Sequence, residues 1–100
     1  MVTVHNISLI ASDAKVRGGR PCIAGTSLRV IDVVMAMLFH NQTPGDIAEA
    51  YDISLAQVYA ALAYYYENKA ELDADIREQV NTAKDFKEKR LGSAPPFLFG

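Results

Sequence analysis

One cysteine, no apolar stretch of membrane length and no lysine or arginine through the middle of the chain are the three shortages that first bound this 100-residue sequence. A single Cys22 cannot form an internal disulfide, and it has neither a second cysteine nor a nearby histidine with which to build a zinc site. It reads as a small buried hydrophobe. Apolar runs such as Val33 to Phe39 are far too short to cross a bilayer, and the amino terminus lacks the pattern of a signal peptide, so a cytoplasmic protein is expected. From Val30 to Asn68 there is no Lys or Arg, against Asp32, Asp46, Glu49, Asp52 and Glu67. That segment repels polyanions.

Enzymatic signatures are also missing. The two histidines, His5 and His40, have no convergent carboxylate or cysteine partner in the sequence, and Gly18, Gly19 and Gly25 match neither the Walker nor the dinucleotide spacing. Asp73 and Asp75 lie two apart on a predicted helix and point to different faces, which denies them a shared metal. The expectation is therefore a protein with no catalytic residues, no metal, no cofactor and no small-molecule substrate.

What is present is ordinary globular material, half apolar and under a quarter charged, enough for one domain with one modest core. Its turning point is the segment Gly18 to Val30. The glycines supply positive φ, Pro21 pushes Arg20 toward extended backbone, and Leu28-Arg29-Val30 alternates with period two. A tight hairpin that hands over to a helix at about Val30 follows. Upstream, Val2-Thr3-Val4 and Ile7-Ser8-Leu9-Ile10 are β-branched alternating runs, so one or two short strands are expected. A two-stranded ribbon is marginal alone, and helices or a second copy of the chain must cover it.

Downstream the pattern turns helical. Val30, Val33, Val34, Met37 and Leu38 fall at helical spacing, widened by Met35 and Phe39, and predict a buried central helix that ends at His40-Asn41. Thr43-Pro44-Gly45-Asp46 starts a short second helix to about Ala50, with Thr43 as cap and Pro44 at the first helical position. Tyr51-Asp52-Ile53 turns the chain, and Ser54-Leu55-Ala56-Gln57 is a capping box for a third helix that ends near Asn68. On it Leu55, Val58, Leu62 and Tyr65 are expected to face inward. A fourth helix, with a narrow seam of Leu72, Ile76, Val80, Ala83 and Phe86, runs from Lys69 to about Leu91.

The predicted fold is thus mainly α. A short amino-terminal β-ribbon (1–30) precedes a three-helix helix-turn-helix core, homeodomain-like or winged-helix-like, and a long carboxy-terminal helix (69–91) closes a single domain over 1–91. Residues 92–100 form a flexible apolar tail.

Two readings of the third helix compete. In one, Ser54, Leu55, Gln57, Tyr59 and Ala60 face a DNA major groove, with Gln57 reading adenine. In the other, the three helices are a scaffold that touches no DNA, which the lack of nearby cations favours. If DNA is bound, Lys15, Arg17, Arg20 and Arg29 are the candidate phosphate anchors; the alternative is solvated surface charge. Phe97, Leu98 and Phe99 are candidate partner-binding residues, an apolar tail that folds into a groove on another protein.

The segments Gly18-Gly19-Arg20-Pro21-Cys22-Ile23-Ala24-Gly25-Thr26, Thr43 to Tyr51, Val58 to Tyr65 and Glu71-Leu72-Asp73 resemble the bacterial family catalogued as domain of unknown function 433, from about Ile7 to Ile76. The resemblance implies a small helix-turn-helix protein, often encoded beside a PIN-like nuclease and regarded as a VapB-type antitoxin. Ser27 stands where the family usually has Arg, and Arg29 where it often has Pro. The expected function is a homodimeric antitoxin of a type II toxin-antitoxin pair that binds a PIN-like ribonuclease toxin and its operator DNA. The alternatives are a stand-alone helix-turn-helix regulator and an oligomerisation module that binds no DNA.

Overall fold

Glycine-borne turns, rather than long strands, shape the amino-terminal third of the molecule. A computed structural model describes the backbone of residues 1–5 and 7–93 and the side chains of those residues as far as 87. Strand β1 (Ile10–Ala11) pairs antiparallel with β2 (Cys22–Ile23), placing Ile10 opposite Ile23 and Ala11 opposite Cys22. Between them a tight turn at Arg17–Gly19 is closed by Gly19 N–H donating to Val16 O at 3.0 Å. After β2 the chain reverses through Gly25, whose φ of +77° is the left-handed value a glycine adopts without strain. Thr26 fastens this reversal: its backbone N–H and its hydroxyl both donate to Ile23 O, at 3.0 and 2.8 Å.

The ribbon is shorter than its composition suggests. Val2-Thr3-Val4 belongs to no strand, and Leu28-Arg29-Val30 forms only an isolated bridge between Arg29 and Cys22 before the helix begins. β-propensity describes a chain that fits a pleated surface, and a strand forms only where a partner lies within hydrogen-bonding reach.

Helix α1 (Val30–His40) ends on Asn41 in the left-handed region, and α2 (Pro44–Tyr51) ends on Asp52 in the same conformation. Helix α3 spans Leu55–Glu67 and α4 spans Lys69–Ser93. The described chain is therefore mainly helical, with four helices and a two-stranded sheet. It divides into two compact units, Met1–Lys69 and the stretch from Ala70 onward.

In the first unit α3 is the central element, packed on α1, on α2 and on both strands. Its inward row is Val58, Ala61 and Tyr65, which meet Ile47 of α2, Val30, Ile31, Val33, Val34 and Ala36 of α1, and Cys22 and Ile23 of β2 in one core. Cys22 is buried with a free thiol, as its isolation implies, and burial pushes that thiol above its ordinary pKa. Two expectations are corrected. Leu55 is exposed, because the first turn of α3 overhangs the core; the inward row begins at Val58. Leu38 and Phe39 are exposed as well, since only the first two turns of α1 are covered by neighbours.

In the second unit α4 is a single long helix. Val80 and Phe86 of its predicted seam are exposed.

Candidate partner and nucleic-acid interface

The α2–turn–α3 segment is built from reciprocal caps. Thr43 Oγ1 accepts from Asp46 N–H at 3.1 Å, while Asp46 Oδ2 accepts from Thr43 N–H at 3.0 Å. Those bonds hold the Asp46 carboxyl below the ordinary carboxylate range. Ser54 and Gln57 repeat the arrangement, with Gln57 N–H donating to Ser54 Oγ at 3.1 Å and Ser54 N–H donating to Gln57 Oε1 at 2.7 Å. Between the two boxes Asp52 reverses the chain at φ 54°, and Ile53 N–H donates to Ala48 O at 3.0 Å. The turn thus has a defined path between two helices whose facing residues, Ile47 and Val58, are fully buried.

This geometry decides what each candidate on α3 offers. Gln57 has its carboxamide oxygen engaged by Ser54 N–H, which folds the side chain back against the start of α3. Ser54 spends its hydroxyl on the cap. Tyr59 is exposed, as are Leu55 one turn before it and Tyr51 at the end of α2. What α3 presents is Leu55 and Tyr59, one turn apart, as exposed aliphatic and aromatic surface.

The basic hairpin is engaged with itself. Arg29 lies at the start of α1 with its side chain only 11% exposed, and its guanidinium grips Asp32: Nη2 to Oδ1 at 2.7 Å, Nε to Oδ2 at 3.1 Å. Asp32 also accepts from Arg29 N–H at 2.9 Å, which caps the helix end. Burial by itself would raise the Asp32 carboxyl, but the Arg29 hydrogen bonds outweigh it and hold the group below the ordinary range. Arg17, itself at φ 50°, lies 3.7 Å from Asp32 and donates to Ser27 O at 3.1 Å, tying the two arms of the hairpin. Arg20 Nη1 donates to Arg17 O at 3.5 Å. Lys15 is exposed. Of the four predicted anchors, then, Arg29 faces inward, Arg17 and Arg20 brace the loop, and Lys15 projects from it.

Asp32 is the residue that charge balance alone misses; its signal in the sequence is an acidic residue three positions after an arginine at a helix start. Two open depressions flank the sheet. One, of about 340 Å³, is lined by Asp13, Val16, Cys22, Thr26 and Ser27 among others; a second, of about 310 Å³, by Ile7, Ile10, Ala60, Ala63, Tyr64 and Glu67. Among the described residues no three histidine, cysteine or acidic side chains converge as a metal site, and no helix is long and apolar enough to cross a membrane. Phe97, Leu98 and Phe99 lie outside the described residues.

A family model described as "Protein of unknown function (DUF433)" matches residues 10–65, which takes in the hairpin, α1, α2 and nearly all of α3. No curated protein and no solved structure matches the chain.

Proposed function

The chain belongs to the DUF433 family, and from that premise we propose that it is a binding protein, the antitoxin of a type II pair, which holds a PIN-like ribonuclease and the DNA of its own promoter. The observation that carries the reading is the exposure of Tyr51, Leu55 and Tyr59 on a capped helix pair, in a segment with no Lys or Arg from Val30 to Asn68. Tyrosine beside aliphatic surface is the composition of protein interfaces, and a helix without Lys or Arg lacks the phosphate anchoring that supplies most DNA affinity. The α3 face therefore suits the protein partner. The basic hairpin with Lys15, Arg17 and Arg20 is the part suited to DNA, with α3 contributing Ser54, Gln57 and Tyr59 at its edge. The protein acts as a homodimer in the cytoplasm, and the helix-turn-helix likeness of α2–turn–α3 is part of this proposal.

The experiment is co-expression with the product of the adjacent reading frame, followed by co-purification. A complex that survives in the native chain and is lost in Leu55→Glu/Tyr59→Glu supports the reading. Failure of any complex to form, with the chain folded by circular dichroism, overturns it. A stand-alone DNA regulator is the second reading, favoured by the clustering of Lys15, Arg17 and Arg20 on one loop. It predicts a shift of the upstream DNA that weakens with salt and needs no second protein.

A further inference from the structure

The first twelve residues contain no Asp, Glu, Lys or Arg, yet they alternate β-branched and polar residues and end in the sheet. Val2, Val4 and Ile7 are 88, 76 and 81% exposed, and residues 1–5 and 7–9 belong to no strand. Among the described residues, strand β1 has a partner on one side only, β2, in a two-stranded sheet. Natural edge strands are blunted with charge, proline or bulges; this one, among the described residues, carries none of those devices. Next to it lies the apolar depression of about 310 Å³ formed by Ile7, Ile10, Ala60, Ala63 and Tyr64, with Glu67 at its rim.

We propose that this amino-terminal segment is a strand-exchange interface whose occupant is the same segment of a second copy, paired antiparallel across a twofold axis. The argument for a second copy is electrostatic. In an isologous contact each patch meets itself, so a patch of one sign repels its own image. The hairpin from Asp13 to Arg29 carries four basic residues against one acidic, and the segment from Val30 to Asn68 carries five acidic residues and no basic one. Neither suits self-contact. The amino-terminal segment, which has no Asp, Glu, Lys or Arg side chain, does.

Directly opposed residues of an antiparallel pair lie on one face, so a register that sets Val2 of one copy opposite Ile10 of the other brings that valine to the depression that Ile10 lines. The pairing consumes both free edges and ends at two copies. It is independent of whether the other partner is a nuclease.

The test is solution mass by light scattering on the full chain, from low to high micromolar concentration. The native chain is expected at twice its monomer mass, and Val2→Glu/Val4→Glu at the monomer mass throughout. Because both valines are exposed within the protomer, that variant keeps the helical circular dichroism of the native chain, which separates lost pairing from lost folding. The control is Val80→Glu/Phe86→Glu on the exposed part of α4, expected to remain dimeric. A native chain that is monomeric throughout overturns the proposal, as does a Val2→Glu/Val4→Glu variant that remains dimeric. Dissociation of the α4 variant alone would assign self-association to that helix instead.

Discussion

Asp32→Ala is the substitution that tests most directly what holds the hairpin to the helices. The carboxylate is 18% exposed and performs three tasks: it accepts from Arg29 N–H at the start of α1, binds the Arg29 guanidinium, and lies 3.7 Å from Arg17, whose guanidinium in turn holds Ser27 O. Losing a helix-end acceptor costs about 1 kcal/mol. Leaving a guanidinium that is 11% exposed without its carboxylate costs about 2 kcal/mol more, below the 3–5 kcal/mol of a fully buried pair because water still reaches one side. The sum, about 3 kcal/mol, is a large share of a small domain's stability, and at roughly 4–8 °C per kcal/mol it lowers the melting temperature by about 12–24 °C. Urea and thermal unfolding followed by circular dichroism measure it. In a double-mutant cycle Arg29→Ala/Asp32→Ala should fall short of the sum of the single losses by at least about 1 kcal/mol, since either change already breaks the pair. A loss under about 0.5 kcal/mol, or strict additivity, refutes the assignment of Asp32 as the junction.

The same carboxylate sets a pH dependence. Its pKa is lowered in the folded state, so its contribution is fully present above the ordinary carboxylate value near 3.8 and is lost as pH falls through the lower folded value. Native stability should therefore drop more steeply below about pH 4 than that of Asp32→Asn, whose curve lacks this component. Gly25→Ala should cost about 1 kcal/mol with no repacking, because a Cβ there meets nothing within 4 Å and only the φ of +77° opposes it; Gly25→Asn should cost less, as asparagine tolerates the left-handed region. Ile47→Ala, at a fully buried position between α2 and α3, should cost about 2–5 kcal/mol by chemical denaturation. Cys22 should react with a thiol reagent only as fast as the first unit opens, since the group is buried and its pKa raised; labelling as fast as a free thiol in the native state would contradict its placement.

The helix boundaries were legible because caps are local chemistry. Thr43 with Asp46 and Ser54 with Gln57 bond across three residues, and nothing distant is needed to place them. The inward positions Val58 and Tyr65 followed from helical spacing for the same reason. What did not follow is where a neighbour stops. Leu38, Phe39 and Leu55 belong to apolar stripes, but a stripe has no information about the length of the helix lying across it, and all three are exposed. Val2-Thr3-Val4 has the composition of a strand but, among the described residues, no partner in its own protomer, and propensity carries no information about partners. The sign of Arg29 alone suggests a phosphate anchor, whereas its carboxylate partner three residues on makes it a brace.

That inward turn of Arg29 bears on how DNA would be held. Under the proposed function the hairpin brings at most three cations, Lys15, Arg17 and Arg20, to phosphate, and two of them already brace the loop. Each neutralised phosphate contributes about 0.9 to the slope of log affinity against log salt, so one protomer reaches a slope of about −2.7 and a pair about −5.4. Single-protomer binding of that kind is weak at physiological salt, so under the same proposal the pair is the binding form. If strand exchange makes the pair, Val2→Glu/Val4→Glu, which alters no hairpin cation, should both halve the salt slope on promoter DNA and weaken binding far more than Lys15→Ala does. An unchanged slope in that variant would break the link between self-association and DNA, whatever each does alone.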